Sequence, residues 1–275
     1  MNTLGNLTYV YVVTHPTGPL GDALTSLHGI GQASLRFLPP SAETADNSGP
    51  PSPIAFVASD VPEQDFNETA LKHHFEDLDW LEHVARAHHD VVQAVAARAP
   101  VLPLRLATVY QDDPRARLAL SAQQDLFTLR LDQLCAHTEY GVKIYLTADA
   151  GQPPPTDPAP PGSPGKAYLR ARRAQRQSRE AVYQQAEQAA ETIEAIAARL
   201  ATQRVRHAPQ RGELTGPQEN VLNDAYLVPD DRAGQFQADI ADAARAFPGL
   251  RIEVTGPWAP YSFAMPAAST PEPPP

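Results

Sequence analysis

Cysteine is almost absent from this chain of 275 residues, which contains only Cys135. A single cysteine cannot form an internal disulfide and cannot supply a cysteine-based metal cage. Cys135 falls in an amphipathic stretch that predicts a helix, so we expect a core side chain and not a nucleophile. The cysteine content therefore gives no reason to expect a metal or covalent site.

Long apolar runs and excess positive charge are missing as well. No stretch approaches the roughly 20 apolar residues of a membrane-spanning helix. The first residues, MNTLGNLTYVYVV, lack the basic and apolar regions of a secretory signal. The formal net charge is −10, and like charges oppose general binding to nucleic acid or anionic lipid. We expect a soluble, cytoplasmic protein that binds neither membranes nor nucleic acid.

Proline, in contrast, is abundant: the chain has 29, of which 17 lie in three stretches, at 39–53, 153–164 and 266–275. Proline fixes φ and lacks a backbone donor, so such stretches cannot continue helices or central strands. The first two stretches predict loops or linkers, and residues 265–275 predict a disordered tail.

Hydrophobic periodicity predicts both strands and helices. Strands are predicted at residues 8–13, 33–38, 54–58, 101–110, 140–146, 211–214, 220–228 and 250–254. Helices are predicted at residues 67–75, 79–99, 113–137, 166–206 and 230–247, with Asn67, Asp79 and Asp113 as first residues or caps. The fold class is therefore α+β.

The length predicts two domains. Residues 1–110 form an N-terminal α+β domain, and residues 111–264 form a C-terminal domain. From Glu139 onward the order is β-α-β-β-α-β, which is typical of a ferredoxin-like fold, here with an overlong helix near residues 166–206. Apolar residues of this helix repeat at alternating steps of four and three, as in a coiled-coil seam. The seam consists of Val182, Ala186, Ala189, Ile193, Ile196 and Leu200.

Catalytic motifs are not found. The chain has no GxSxG elbow and no phosphate-binding glycine loop, and its histidine-rich stretch HHFEDLDWLEHVARAHHD does not match HExxH. On the predicted helix His88 lies on the apolar face and His83 on the opposite face, so three ligands cannot converge. We expect a half-buried His88 with satisfied hydrogen bonds. The sequence therefore predicts no catalytic residue, no metal and no cofactor. An enzyme would need histidines to meet carboxylates in a cleft, and the candidates are His73, His74, His83, His88 and His89.

An arginine cluster occupies the first turns of the long helix. We call Arg170, Arg172, Arg173, Arg176 and Arg179 the Arg cluster. Cations near a helix N-terminus oppose the macrodipole, so helix energetics do not favour this placement. A solvated face with an Arg176–Glu180 pair, a docking site for an acidic protein surface, and a nucleic-acid site are the alternatives.

Three aromatic residues follow the last predicted strand: Trp258, Tyr261 and Phe263. Two prolines, Pro257 and Pro260, stiffen this stretch, residues 256–263, which we call the closing segment. Aromatic side chains provide large contact area at low entropic cost, which suits either a lid on the core or an interface anchor.

Several motifs, in order along the chain, resemble the gas vesicle GvpL/GvpF family. They are WLEHVARAHHDVVQAVAARAPVLPLRLATVY at 80–110, EYGVKIYL at 139–146, KAYLR at 166–170, DAYLV at 224–228 and VTGPWAPYSFA at 254–264. Family members usually carry a further proline where Ala259 stands here. The matches run from about residue 8 to residue 264, and they do not separate the GvpL type from the GvpF type.

The resemblance implies a minor gas vesicle component that is needed for assembly. Family members are two-domain α/β proteins without known catalytic activity. They bind the shell protein GvpA and other gas vesicle accessory proteins, which implies a cytoplasmic protein associated with the vesicle. The Arg cluster, Trp258, Tyr261 and Phe263 are then candidate protein-binding residues. The alternative is a ligand-sensing regulatory protein that uses the ferredoxin-like domain.

Overall fold

The computed structural model describes residues 5–41, 54–147, 164–209 and 218–265. Its contacts divide the chain into two compact units. The first unit takes in the chain up to Ala136 and resumes at Trp258, and the second unit runs from His137 to Pro257. The sequence predicted a single boundary at residue 110 and placed the closing segment in the second domain. The contacts instead put the boundary after Ala136, and they put the chain from Trp258 onward in the first unit.

The first unit is a five-stranded antiparallel sheet with helices. Its central strand, β1, pairs with β3 on one side and with β4 and β5 on the other, and β2 lies outside β3. The elements are β1 Asn6–Thr14, α1 Gly18–Leu24, β2 Arg36–Leu38, β3 Ala55–Pro62, α2 Glu63–Phe66, α3 Glu68–His74, α4 Leu78–Ala96, β4 Val101–Pro103, β5 Val109–Tyr110, α5 Asp113–Ala122 and α6 Gln124–Leu134.

Burial on both faces explains why β1 reads as a continuous apolar run and not as an alternating strand. Residues 8–14 are all buried, and α4 adds a stripe of valines to the same core. Within this core the Tyr11 hydroxyl accepts a hydrogen bond from the Ile30 amide at 2.9 Å and lies 2.9 Å from Ser59 Oγ. Gly29 permits this arrangement, because a Cβ there would lie 2.3 Å from the Tyr11 hydroxyl.

Two helices begin earlier than their sequence patterns indicated. Asp77, and not Asp79, caps α4 by accepting from the Asp79 and Trp80 amides. Asp112, and not Asp113, caps α5 by accepting from the Arg115 amide. The carboxylate of Asp113 instead accepts from the side chains of two strand residues, Thr8 and Arg36, and so ties α5 to the sheet.

The predicted helix over residues 113–137 is wrong in one respect, since it is two helices. Gln123 interrupts it with φ of −120° and ψ of 13°. The break rotates the second half, so that Phe127, Leu131 and Leu134 are buried. Leu118, Leu126 and Leu129 are exposed. Cys135 follows α6 and is exposed, so its assignment to the core is corrected.

The second unit is a four-stranded sheet with two helices. The elements are β6 His137–Leu146, α7 Pro164–Leu200, β7 Gln203–Arg206, β8 Asn220–Pro229, α8 Ala233–Ala244 and β9 Leu250–Trp258. The strand order is β7-β8-β6-β9, and β8 pairs antiparallel with both β6 and β7. One face of the sheet packs on α8 and on the C-terminal half of α7.

The long helix ends sooner than its pattern indicated. α7 stops at Leu200, and residues 203–206 form β7 because they pair with β8. The strand predicted at 211–214 lies outside the described residues, as do most of the two proline-rich stretches and residues 266–275.

The seam itself is buried from Val182 to Leu200, against the sheet and α8 of its own unit. None of the helices in the described ranges combines the length and apolarity needed to cross a membrane.

Candidate interaction surfaces

The histidines of α3 and α4 do not converge on one point. His74 stacks on Trp80 with ring centroids 4.5 Å apart, while His83 is exposed. Within the described part of the chain, no three His, Cys, Asp or Glu side chains are placed to hold a metal ion.

His88 is buried more completely than the sequence indicated, with 3% of its surface exposed. Its Nδ1 lies 2.9 Å from the Tyr9 hydroxyl, which accepts from the Ala107 amide at 3.0 Å. The tyrosine proton is therefore directed at Nδ1, and the neutral imidazole carries its own proton on Nε2. Burial lowers the pKa of His88 to about 4, although the nearby Leu104 carbonyl opposes the shift. This neutral imidazole is a packing element of the core.

His89, the next residue on α4, contacts the closing segment. Its ring stacks on Tyr261 at 5.9 Å and meets Trp258 edge-on at 5.5 Å. Its Nδ1 lies 3.2 Å from the Tyr261 hydroxyl. One turn further along α4, the Gln93 side chain accepts from the Ala259 amide at 2.8 Å. The closing segment is thus docked on α4 by both ring contacts and a backbone hydrogen bond.

The closing segment is partly buried in the core and partly exposed to solvent. Phe263 is 3% exposed, and Ala259 and Ala264 are buried with it. Trp258 and Tyr261 keep 38% and 37% of their surface exposed. Neither alternative from the sequence describes all three aromatics, because Phe263 anchors the segment and the other two rings face solvent. Trp258, Tyr261 and His89 form a contiguous aromatic patch on the first unit.

The Arg cluster lies on the N-terminal half of α7, where every arginine is exposed. Arg172 donates to the Tyr168 hydroxyl at 3.0 Å, and Arg176 pairs with Glu180 at 2.9 Å. An open groove of about 720 Å³ follows this face. It is lined by Tyr168, Ala171, Arg172, Gln175, Arg176, Arg179, Glu180 and Tyr183. Exposed arginines and tyrosines therefore share one helix face.

The second unit contains a buried charge network that was not predicted from the sequence. The side chain of Asp224 on β8 is fully buried and accepts from Arg204 Nε at 2.9 Å and from the Tyr226 hydroxyl at 3.2 Å. Arg206 approaches the other Asp224 oxygen at 3.5 Å, and Glu194 on α7 pairs with Arg204. The alternation Arg204-Val-Arg206 was the available signal, since it places both cations on one face of a strand.

An open cleft of about 310 Å³ beside this network includes Arg204, Tyr226 and Glu194 in its lining. The charged groups pair with one another, so the cleft does not favour the ligand-sensing alternative.

Together these features define a mixed α/β protein with two exposed candidate interaction surfaces, the aromatic patch and the Arg cluster. The same fold occurs in solved gas vesicle proteins. GvpF from Anabaena sp. PCC7120 superposes with a TM-score of 0.63 at 16% identity, covering 96% of this chain and 98% of that one. GvpF from Microcystis aeruginosa gives a TM-score of 0.59 at 14% identity, covering 94% and 99%.

The sequence comparisons place the chain more closely. The family model described as gas vesicle synthesis protein GvpL/GvpF matches residues 7–265. Gas vesicle protein L from Streptomyces sp. (strain CB03234) is 40% identical over 261 residues, covering 94% of this chain and 92% of that protein. The chain therefore belongs to the GvpL/GvpF family of gas vesicle proteins, as its motifs predicted. This family is not a known enzyme family.

Proposed function

We propose that this protein is an accessory component needed for gas vesicle assembly, and that it acts by binding other proteins without catalysis. Its partners in this proposal are the shell protein GvpA and other gas vesicle accessory proteins, and its place is in the cytoplasm at the vesicle. Family membership over nearly the whole chain is the observation that carries the proposal.

The physical problem of assembly supports a binding role. A shell subunit that lines a gas space carries apolar surface, which has to be covered before it enters the shell. Two kinds of surface on this chain suit that task, namely the aromatic patch of the first unit and the Arg cluster of α7. Within this proposal Trp258 and Tyr261 contact the partner, while Phe263 holds the closing segment in place. The second unit supports this as a ferredoxin-like scaffold, since its β-α-β-β-α-β order and β7-β8-β6-β9 sheet suit that fold.

The aromatic patch is tested by co-expressing the tagged chain with GvpA and measuring the captured GvpA. We expect Trp258→Ala/Tyr261→Ala to capture about tenfold less GvpA, because truncating central aromatic contacts typically costs 1–2 kcal/mol or more (about tenfold per 1.4 kcal/mol). The unfolding midpoint should fall only modestly, because both rings also contact His89 while the buried Phe263 and the Ala259–Gln93 hydrogen bond still hold the segment on α4.

The matched control is Phe75→Ala/Leu78→Ala, which removes exposed apolar side chains elsewhere on the same unit. This control should capture GvpA as the wild type does. Equal loss in both variants would remove the aromatic patch from the proposal. Normal gas vesicles in cells that lack the chain would refute the assembly role itself.

A further inference from the structure

We propose that the exposed half of α7 binds an acidic amphipathic helix of a partner protein. This inference rests on the proposed function and deepens it by naming the chemistry of one partner segment.

The binding face is a continuation of the buried seam. From Val182 toward the N-terminus, the same alternation of three and four residues continues through Arg179, Gln175, Arg172 and Tyr168. We call these four residues the cationic strip. The seam is buried from Val182 onward, and residues 168–173 as well as Gln175 and Arg179 are exposed. One side of a single helix thus passes from an apolar core face to a solvent-facing row that contains two arginines.

The charge of this half-helix is unbalanced. Between Tyr168 and Tyr183 five arginines face a single acidic residue, Glu180, in a chain with net charge −10. Arg170 and Arg173 have no ion pair with any described residue. A merely solvated helix face usually mixes both signs at i,i+4 spacing. Cations here also oppose the helix dipole, so the local energetics of α7 do not account for them.

The shape of the strip favours a helical partner. Residues 168–183 span about 22 Å of helix, roughly four turns. Arg176 lies beside the strip, so Arg172, Arg176 and Arg179 follow one another at steps of four and three on one side of the helix. Carboxylates at i, i+4 and i+7 of a second helix then lie opposite them. Tyr168 and Tyr183, which are 61% and 40% exposed, bracket the arginines with apolar rings. An acidic helix with flanking apolar residues matches both the charge and the spacing.

The experiment uses the full chain and two labelled synthetic helical peptides. One peptide carries Glu at i, i+4 and i+7 with Leu beside them, and the other carries Gln at those three positions. Fluorescence anisotropy at low and moderate salt gives the Kd of each. We expect the Glu peptide to bind at least about tenfold more tightly, with the advantage shrinking as salt rises, since three partly exposed ion pairs together supply that factor.

The variant Arg172→Glu/Arg176→Glu/Arg179→Glu should weaken binding of the Glu peptide by at least about tenfold. Its control, Arg98→Glu/Arg115→Glu/Arg245→Glu, makes the same change of net charge at exposed arginines elsewhere and should bind the Glu peptide like the wild type. Circular dichroism establishes that both variants keep their helix content.

Equal binding of the two peptides, or equal loss in both variants, would overturn the proposal. So would an oligouridine of 20 nucleotides that binds through the same arginines when the Glu peptide does not. Failure of this proposal can be distinguished from failure of the proposed assembly role. Peptide binding by a chain that cells do not need for vesicles would refute only the proposed function, and GvpA capture without peptide binding would refute only the helix partner.

Discussion

At the scale of single residues, two adjacent histidines on α4 have opposite surroundings. His88 points into the sheet and bonds to Tyr9, whereas His89 faces outward and stacks on Tyr261. Helical periodicity predicted the inward side for His88. It could not predict the partners, because Tyr9 and Tyr261 are distant in sequence. It also underestimated the burial, since β1 and the 104–107 loop that surround His88 contribute nothing to the helix pattern.

The stability of the first unit should depend on pH through His88. Its folded pKa of about 4 lies below the ordinary 6.5, so acid protonates the unfolded chain first. The stability contribution is fully present above pH 6.5 and is lost as pH falls toward 4, by roughly 3 kcal/mol in total. Urea unfolding followed by tryptophan fluorescence measures this, because both tryptophans, Trp80 and Trp258, belong to the first unit.

The non-titrating variant His88→Gln should remove most of that difference between pH 7.5 and pH 4.5. The control His83→Gln alters an exposed histidine of the same helix and should keep the wild-type dependence. An unchanged pH dependence in His88→Gln would show that other groups are responsible.

At the scale of elements, the sequence predicted most strands and helices but misplaced several boundaries. The strand β7 was read as the end of the long helix, because residues 203–206 have no proline or glycine before them and their pairing with β8 is not local. The break at Gln123 was missed for the same reason, since no helix-breaking residue marks it. For β7, the pairing with β8 overrode local helix propensity.

The network around Asp224 should hold β7, β8 and α7 together. Asp224→Asn should destabilise the second unit by about 1–3 kcal/mol, because it removes the buried carboxylate that accepts from Arg204 and Tyr226, while Glu194 still pairs with Arg204. Thermal unfolding followed by circular dichroism at 222 nm measures this loss, since α7 supplies a long helical segment of the unit.

Asp242→Asn serves as the comparison, because the Asp242–Arg245 pair lies in an exposed position on the same unit. It should cost less than about 1 kcal/mol. Similar costs for the two substitutions would mean that the Asp224 network contributes no more than a surface ion pair.

At the scale of the whole molecule, the mixed α/β class and the protein family could be predicted from the sequence. The unit to which the closing segment belongs could not. The motif VTGPWAPYSFA continues the last strand without a linker, so it was assigned to the second domain. Its contacts with His89 and Gln93 belong instead to the first unit. Only the folded chain brings residues about 170 positions apart into contact.

The first unit should therefore need the closing segment for its stability. A chain ending at Pro257 should lose roughly 3 kcal/mol or more in that unit, because the buried Phe263, Ala259 and Ala264 are removed. A chain ending at Met265 keeps them and should match the full-length protein. Urea unfolding followed by tryptophan fluorescence compares the two chains, and an equal midpoint for both would contradict this prediction.

This interrupted arrangement also sets an order of events during translation. Once β1 to α6 have been made, the ribosome still has to synthesise about 120 residues before Trp258 appears. At about 5–20 residues per second this delay is on the order of ten seconds. Because the second unit is continuous, all of its residues are synthesised before Trp258. Until then the Gln93 side chain on α4 lacks the Ala259 amide from which it accepts a hydrogen bond. The first unit is therefore completed only after the whole of the second unit has been synthesised.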